Sequence, residues 1–366
     1  MGKFIVFFAL LFVNTAHSAT ADVYNYYQWN RVNHALGNGK VLVSPWYEWW
    51  YYKVVLPETG ESFYSVYGVV NPWDIHATLG GTRSYVGFGN FSDKILIDRK
   101  FDVSQFSASY DSTKIQVGDK NSATDQHFEG ELQDPIFGLQ RWSVNITKKW
   151  SYNAMGWAMG IPRLMNISWY PAQADAVCSG RVESNGKIHD FTDAPCYQDR
   201  NWGSSFPDWW AWVVSNHFNE EKDAVLAVGG GLPEILGHKM YSGVSIGFKW
   251  KGREYTFRPN DLNKVHTDIS WGKWNVSGQN AEMRIEIEAT APNEKFMDLQ
   301  FETPTGEIFH DYETLTGHLV VRIYDRLNGD QLTTLTSDFA GIEYGSKNEH
   351  QLQTEMMLGQ SFSNRR

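Results

Sequence analysis

Two short stretches of the chain set carboxyl groups among aromatic rings. Trp46-Tyr47-Glu48-Trp49-Trp50-Tyr51-Tyr52-Lys53 surrounds one acid, Glu48. Asp193-Ala194-Pro195-Cys196-Tyr197-Gln198-Asp199-Arg200-Asn201-Trp202-Gly203 carries two, Asp193 and Asp199. A carboxyl group walled by rings is desolvated, so its pKa rises and it keeps its proton near neutral pH. Such an acid can protonate a weak base, an alkene included, and neighbouring Trp and Tyr faces then stabilise the developing cation. The competing reading of the same residues is a structural corner in which Asp199 pairs with Arg200 or caps a turn.

The other reactive residues form no comparable pattern. The histidines, including His310 beside Asp311, show no His-x-x-x-His or similar ligand spacing, and two cysteines are too few for a structural zinc site. No metal and no cofactor is expected. The chain has no Gly-x-Ser-x-Gly elbow and no phosphate loop. Gly229-Gly230-Gly231 is followed by Leu232-Pro233 and reads as a bend or a close backbone approach.

The elements that must position these residues are strands. Lys53–Leu56 turns through Pro57-Glu58-Thr59-Gly60 into Ser62–Tyr67, and Arg181–Glu183 turns through Ser184-Asn185-Gly186-Lys187 into Ile188–Phe191. Further strands read at Ala224–Val228, Val244–Trp250 with Glu254–Phe257, Met283–Ala289 and His318–Tyr324. Arg284-Ile285-Glu286-Ile287-Glu288 alternates strictly, which predicts one wet face. With no long amphipathic pattern, the expected fold is all-β, built of antiparallel barrels or sandwiches. An internal echo, Trp49-Trp50-Tyr51-Tyr52-Lys53-Val54 against Trp209-Trp210-Ala211-Trp212-Val213-Val214, points to two related β units. The small-residue stretch Ala172–Ala176 after Trp169-Tyr170-Pro171 marks the expected boundary between an N-terminal β domain, 22–172, and a C-terminal one, 173–366.

Composition narrows the partners. The 366 residues include 21 Phe, 16 Trp and 18 Tyr, more rings than a core of this size needs, so some should line a cleft or cavity. Hydrophobic residues at 42% exclude a disordered chain. A net charge of −10 argues against nucleic acid and anionic lipid surfaces and leaves neutral or apolar partners. Lys3, the apolar run Phe4–Val13 and Ala19-Thr20-Ala21 read as a secretory signal peptide over residues 1–21, too short to span a bilayer. The expected location is therefore secreted or periplasmic, with no stable transmembrane segment after cleavage. In an oxidising compartment Cys178 and Cys196 are expected to pair, the alternative being two buried free thiols.

At this point the motif blocks resemble those of the tocopherol cyclase family, relatives of the lipocalin-like carotenoid hydratases. The family's Phe-Phe-Glu-Gly-Trp-Tyr-Tyr-Lys-Val is matched by Trp46 to Val54, with Trp49 standing in place of Gly. Its Asp-Ala-Pro-x-Tyr-x-Glu-Lys-Asn-Trp-Gly is matched by Asp193 to Gly203, with Asp199-Arg200 in place of Glu-Lys. Phe206-Pro207, Trp210-Ala211-Trp212, Ala224–Gly231, Trp271-Gly272-Lys273-Trp274, Glu286–Thr290 and Thr336–Gly341 follow in the family's order. The resemblance implies two lipocalin-like units enclosing an aromatic-lined cavity, and an isomerase that closes a prenylated hydroquinone to a chromanol without redox cofactor or metal.

On that footing the expected proton donor is Asp193 or Asp199, with Glu48 a third candidate. Tyr197, Trp202, Trp50 and Tyr51 are the expected cavity rings, and Asn201 orients the ring hydroxyl. The alternatives are a secreted lipocalin-like carrier that binds an apolar ligand without turnover, and a carbohydrate-binding β protein. For a glycosidase, no paired carboxylates can be assigned from sequence.

Overall fold

The structure, a computed structural model, describes residues 24–25, 45–74, 77, 79–161, 163–239, 242–350 and 352; the expected signal peptide lies outside these. Two antiparallel sheets make up almost all of it. The first contains β1 (Tyr47–Leu56), β2 (Glu61–Val70), β3 (Arg83–Asn90), β4 (Ile95–Phe101), β5 (Phe106–Ala108) and β6 (Lys114–Val117). It continues with β7 (Asn121–Thr124), β8 (His127–Asp134), β9 (Gly138–Trp150), β10 (Ile167–Ser184) and β11 (Lys187–Gly203). The second sheet contains β12 (Trp209–Ser215), β13 (Val225–Gly231), β16 (Gly243–Trp250), β17 (Arg253–Phe257) and β18 (Lys264–Ser270). Its remaining strands are β19 (Lys273–Gln279), β20 (Met283–Thr290), β21 (Met297–Glu302), β22 (Ile308–Asp325) and β23 (Gln331–Ser346). A small hairpin, β14 (Glu234–Ile235) with β15 (His238–Lys239), stands apart.

The two sheets share one plan. In the first, β1 lies between its hairpin partner β2 and the last strand, β11; in the second, β12 lies between β13 and the last strand, β23. Each is a nearly closed ring, left open between β4 and β5 in one and between β17 and β18 in the other. The echoed segments Trp49–Val54 and Trp209–Val214 thus occupy equivalent strands. The Asn185-Gly186 turn has both residues at positive φ, 53° and 70°, as a two-residue type I′ hairpin requires.

The expected boundary at 172/173 falls inside β10, and the chain passes from one sheet to the other at residues 204–208. The stretch expected to mark the boundary begins with a bulge. The β10–β11 register shifts between Tyr170 and Gln173, where Pro171 has no N–H to offer the ladder, and the alanines beyond it are buried in a continuous strand. Cys178 and Cys196 form a disulfide across β10 and β11 in the core of the first sheet.

Each ring has its own apolar interior, and a third apolar cluster joins them. It draws Tyr51, Tyr64 and Tyr197 from the first sheet and Trp212, Val225 and Leu315 from the second. The sheets therefore pack through their β1–β11 and β12–β23 faces, and the cavity described next lies in that seam.

Candidate functional site

Strand alternation decides which residues reach the seam. On β1 and β11, Trp49 pairs with Asn201, Tyr51 with Asp199 and Lys53 with Tyr197. Successive side chains point to opposite faces, so the intervening pairs, Glu48 with Trp202 and Trp50 with Arg200, turn into the first ring. Trp169 extends the first row as the β10 partner of Asn201. The second sheet presents Trp212, Glu343 and Glu313 in one row across β12, β23 and β22, and Trp210, Gly345 and Asp311 in the next.

Between these faces lies a cavity of about 340 Å³, lined by Trp49, Tyr51, Trp169, Asp199, Asn201, Phe206, Trp210, Trp212, Gly229 and Phe301 with Asp311, Glu313 and Glu343. Trp157, largely exposed, stands at its edge. The indoles fit because glycines oppose them. A Cβ on Gly229 would sit 2.6 Å from the Trp169 ring, and one on Gly345 would lie 1.9 Å from the Trp210 ring. The Gly229–Gly231 run is thus a site of close approach inside β13.

Asp199 is held in a defined way. Trp169 Nε1 and Tyr197 Oη each donate to its Oδ2 at 2.8 Å. Trp212 Nε1 in turn donates to the Tyr197 oxygen at 3.2 Å. The other oxygen, Oδ1, is buried and has no hydrogen-bond partner. Burial pushes the Asp199 carboxyl up to about 7, against the lowering pull of the Trp169 and Tyr197 hydrogen bonds.

Facing it is a second group of acids. Tyr51 Oη donates to Glu313 and Trp210 Nε1 donates to Glu343. Carboxylate oxygens of Asp311, Glu313 and Glu343 lie within 4.8 Å of one another. Burial raises all three above the usual carboxylate range, Glu343 to about 7; the Glu343 charge adds to the rise of Asp311 and Glu313, and the Asp199 charge adds to that of Glu343, against the lowering pull of its bonds with Trp210 and Asp311. Lys53, fully buried over the Trp212 ring at 5.9 Å, is held down to about 8 by desolvation, while Glu313 pulls it upward. Oxygens this close could share a cation or share protons. The phenol and indole donors and the neighbouring ammonium suit shared protons better, since a divalent ion would need its carboxylates ionised and free.

Of the residues expected from sequence, Asp199, Asn201 and Tyr51 line the cavity, whereas Tyr197, expected as a cavity ring, is buried behind Asp199 as its hydrogen-bond donor. Glu48, Trp50 and Trp202 do not line it. Glu48 is buried in the first ring, bonded to Arg200 and to the Asn25 backbone N–H at 3.0 Å, with the guanidinium stacked on Trp50 and Trp202 at 5.0 and 5.4 Å. Burial also lifts Glu48 to about 7, with Arg200 opposing, but it faces away from the cavity. Asp193 is exposed in a left-handed conformation, φ 52°, its N–H donating to Ser179 Oγ at 3.0 Å. Arg200 therefore pairs with Glu48, not with Asp199.

Sequence reasoning missed Asp311, Glu313, Glu343 and Trp169 as site residues. The available signal was an acid at every second position of a strand, Asp311 and Glu313, on the face they share with the buried Phe309 and Leu315.

A two-ring all-β protein with an acid-and-indole cavity in the seam between its sheets is the class that fold and site define. The chain belongs to the tocopherol cyclase-like family, whose model matches residues 44–137 and 118–346. It is 28% identical over 363 residues to a probable chloroplastic tocopherol cyclase of Oryza sativa subsp. japonica, covering 82% of this chain and 75% of that one. It is 28% identical over 360 residues to the chloroplastic tocopherol cyclase of Zea mays, with the same coverage. The solved structure of CghA with Sch210972 overlays with a TM-score of 0.50 at 10% identity, covering 83% of this chain and 90% of that one. That likeness concerns the fold. The family supports an enzyme of the cyclase type.

Proposed function

We propose that the protein is an intramolecular cyclase that closes a prenylated hydroquinone, or a similar prenyl lipid, to a chromanol by protonating a double bond. The observation that carries this reading is Asp199: a buried carboxyl near neutrality, with one oxygen fixed by two donors and the other bare beside a cavity walled by indoles.

The steps balance without a co-reactant. Asp199 gives its proton to the alkene, whose π electrons form the new C–H bond and leave a tertiary cation beside the indole faces. The phenol oxygen attacks the cation, the C–O bond forms, and the phenol's proton passes to a carboxylate of the cavity. Substrate and product are isomers. Indole walls limit the access of water that would trap the cation as an alcohol, and Asn201, on the cavity wall, would orient the ring hydroxyl.

The test uses purified protein and a prenyl-hydroquinone panel, with product followed by chromatography at unchanged mass. Asp199→Asn should lose cyclisation by at least about 100-fold, the usual contribution of a general acid, while still binding substrate. Asp193→Asn should turn over normally, since Asn tolerates the left-handed backbone. Normal cyclisation by Asp199→Asn would remove the proposed acid. Binding across the panel with no product would mark a carrier instead. The same reading has residues 1–21 as an export signal, so the mature protein recovered outside the cytoplasm should begin near residue 22.

A further inference from the structure

The seam holds a second cavity, of about 390 Å³, on the far side of three rings that line both chambers: Trp49, Phe206 and Phe301. Trp49 from β1 stacks on Phe301 from β21 at 5.1 Å and 17°, and Phe206 meets Trp49 edge-on at 5.6 Å. Trp49 and Phe301 are only half-buried, while Phe206 is buried. Phe301 rides on a short edge strand bonded to β22 alone, so its side of the partition is lightly held. The floor of the second chamber is apolar, with Tyr64, Val66, Leu96 and Leu299 among its residues. Its rim is charged: Glu302 takes Arg83 at 3.3 Å and Lys100 at 3.0 Å, bridging the two sheets.

We propose that this second chamber receives the distal part of the substrate's apolar chain, and that the Trp49–Phe301 stack is the partition that sets which chain lengths are accepted. The inference rests on the cyclase reading for the head of the ligand and on the cavity geometry for the tail. Each chamber alone lies toward the low end of the roughly 300–1,000 Å³ found for small-molecule sites. Closed, the stack confines a ligand to the acid-lined chamber; parted, it lets a long chain run through to the second.

The experiment is titration calorimetry with two probe series, hydroquinones and plain prenyl alcohols, each carrying one to four isoprene units. Trp49→Gly and Phe301→Ala should each tighten binding of the longest member relative to the shortest by about tenfold. That is the effect of burying roughly two further methylenes. Leu96→Trp, which fills the second chamber from its edge strand, should cancel the gain when combined with Trp49→Gly, with thermal melts showing all variants folded. An unchanged length profile in both partition variants, or a gain that survives Leu96→Trp, overturns the proposal. A length shift seen with the alcohols while the hydroquinones fail to bind would sink the cyclase reading and leave the second chamber standing.

Discussion

Asp199 shows how much one hydrogen-bonding partner can decide. The Tyr197 hydroxyl and the Trp169 indole both favour its ionised form, so they hold down a pKa that burial alone would raise further. With Asp199 as the acid, the rate should fall as pH rises through about 7, where the carboxyl loses its proton. Tyr197→Phe removes one lowering contact, so the alkaline limb should move to higher pH, and the rate at low pH should drop because the acid is weaker. A pH–rate profile of the two proteins measures both effects; an unmoved limb would show that another group titrates. At this scale the sequence said a good deal about which residues cluster and little about which way they face. Asp199 and Arg200 are neighbours, yet one lines the cavity and the other is sealed against Glu48 in the first ring. Nothing in the spacing of either motif distinguishes the two faces, because both are aromatic and both are buried.

Elements explain which parts were legible. Hairpins declare themselves locally: Asn185-Gly186 fixes its turn, and the Arg284–Glu288 alternation appears as buried Ile285 and Ile287 in β20. The second group of acids depends on pairing across long stretches of chain, since Glu313 meets Glu343 across β22 and β23 and meets Tyr51 of β1 only once the two sheets pack. No local pattern encodes that meeting. The same dependence yields a test at Gly229. Gly229→Ala would push a methyl into the Trp169 ring, so the indole must shift and its bond to Asp199 must weaken. Activity should fall by about tenfold or more for the loss of one charge-assisted hydrogen bond, and wild-type turnover in this variant would deny Trp169 its positioning role. The disulfide across β10 and β11 closes a separation of 18 residues. Replacing both cysteines with serine should lower unfolding stability by about 3 kcal/mol in a denaturant melt.

For the whole molecule, the cavity's acids impose a pH dependence on folding. Asp199 and Glu343 titrate near 7 when folded, with Asp311 and Glu313 also raised, against ordinary carboxylate values near 4 in the unfolded chain. The folded state therefore holds more protons between those limits. Stability from these groups is fully present below about pH 4 and is lost as pH rises through about 7, by on the order of a few kcal/mol. Lys53, lowered to about 8, acts in the opposite sense and only at higher pH. Melts at mildly acidic and neutral pH should show the decline, and Asp199→Asn should make it shallower by the share of that one carboxyl. The chain crosses between the rings once among the described strands, at residues 204–208, and the cavity's acids are divided by that crossing, with Asp199 before it and Glu313 after it. Two polypeptides cut there would each carry a whole ring and half a site. On the cyclase reading, neither should turn over alone and mixing them should restore activity, so that the cut protein would serve as a split reporter read by its own product.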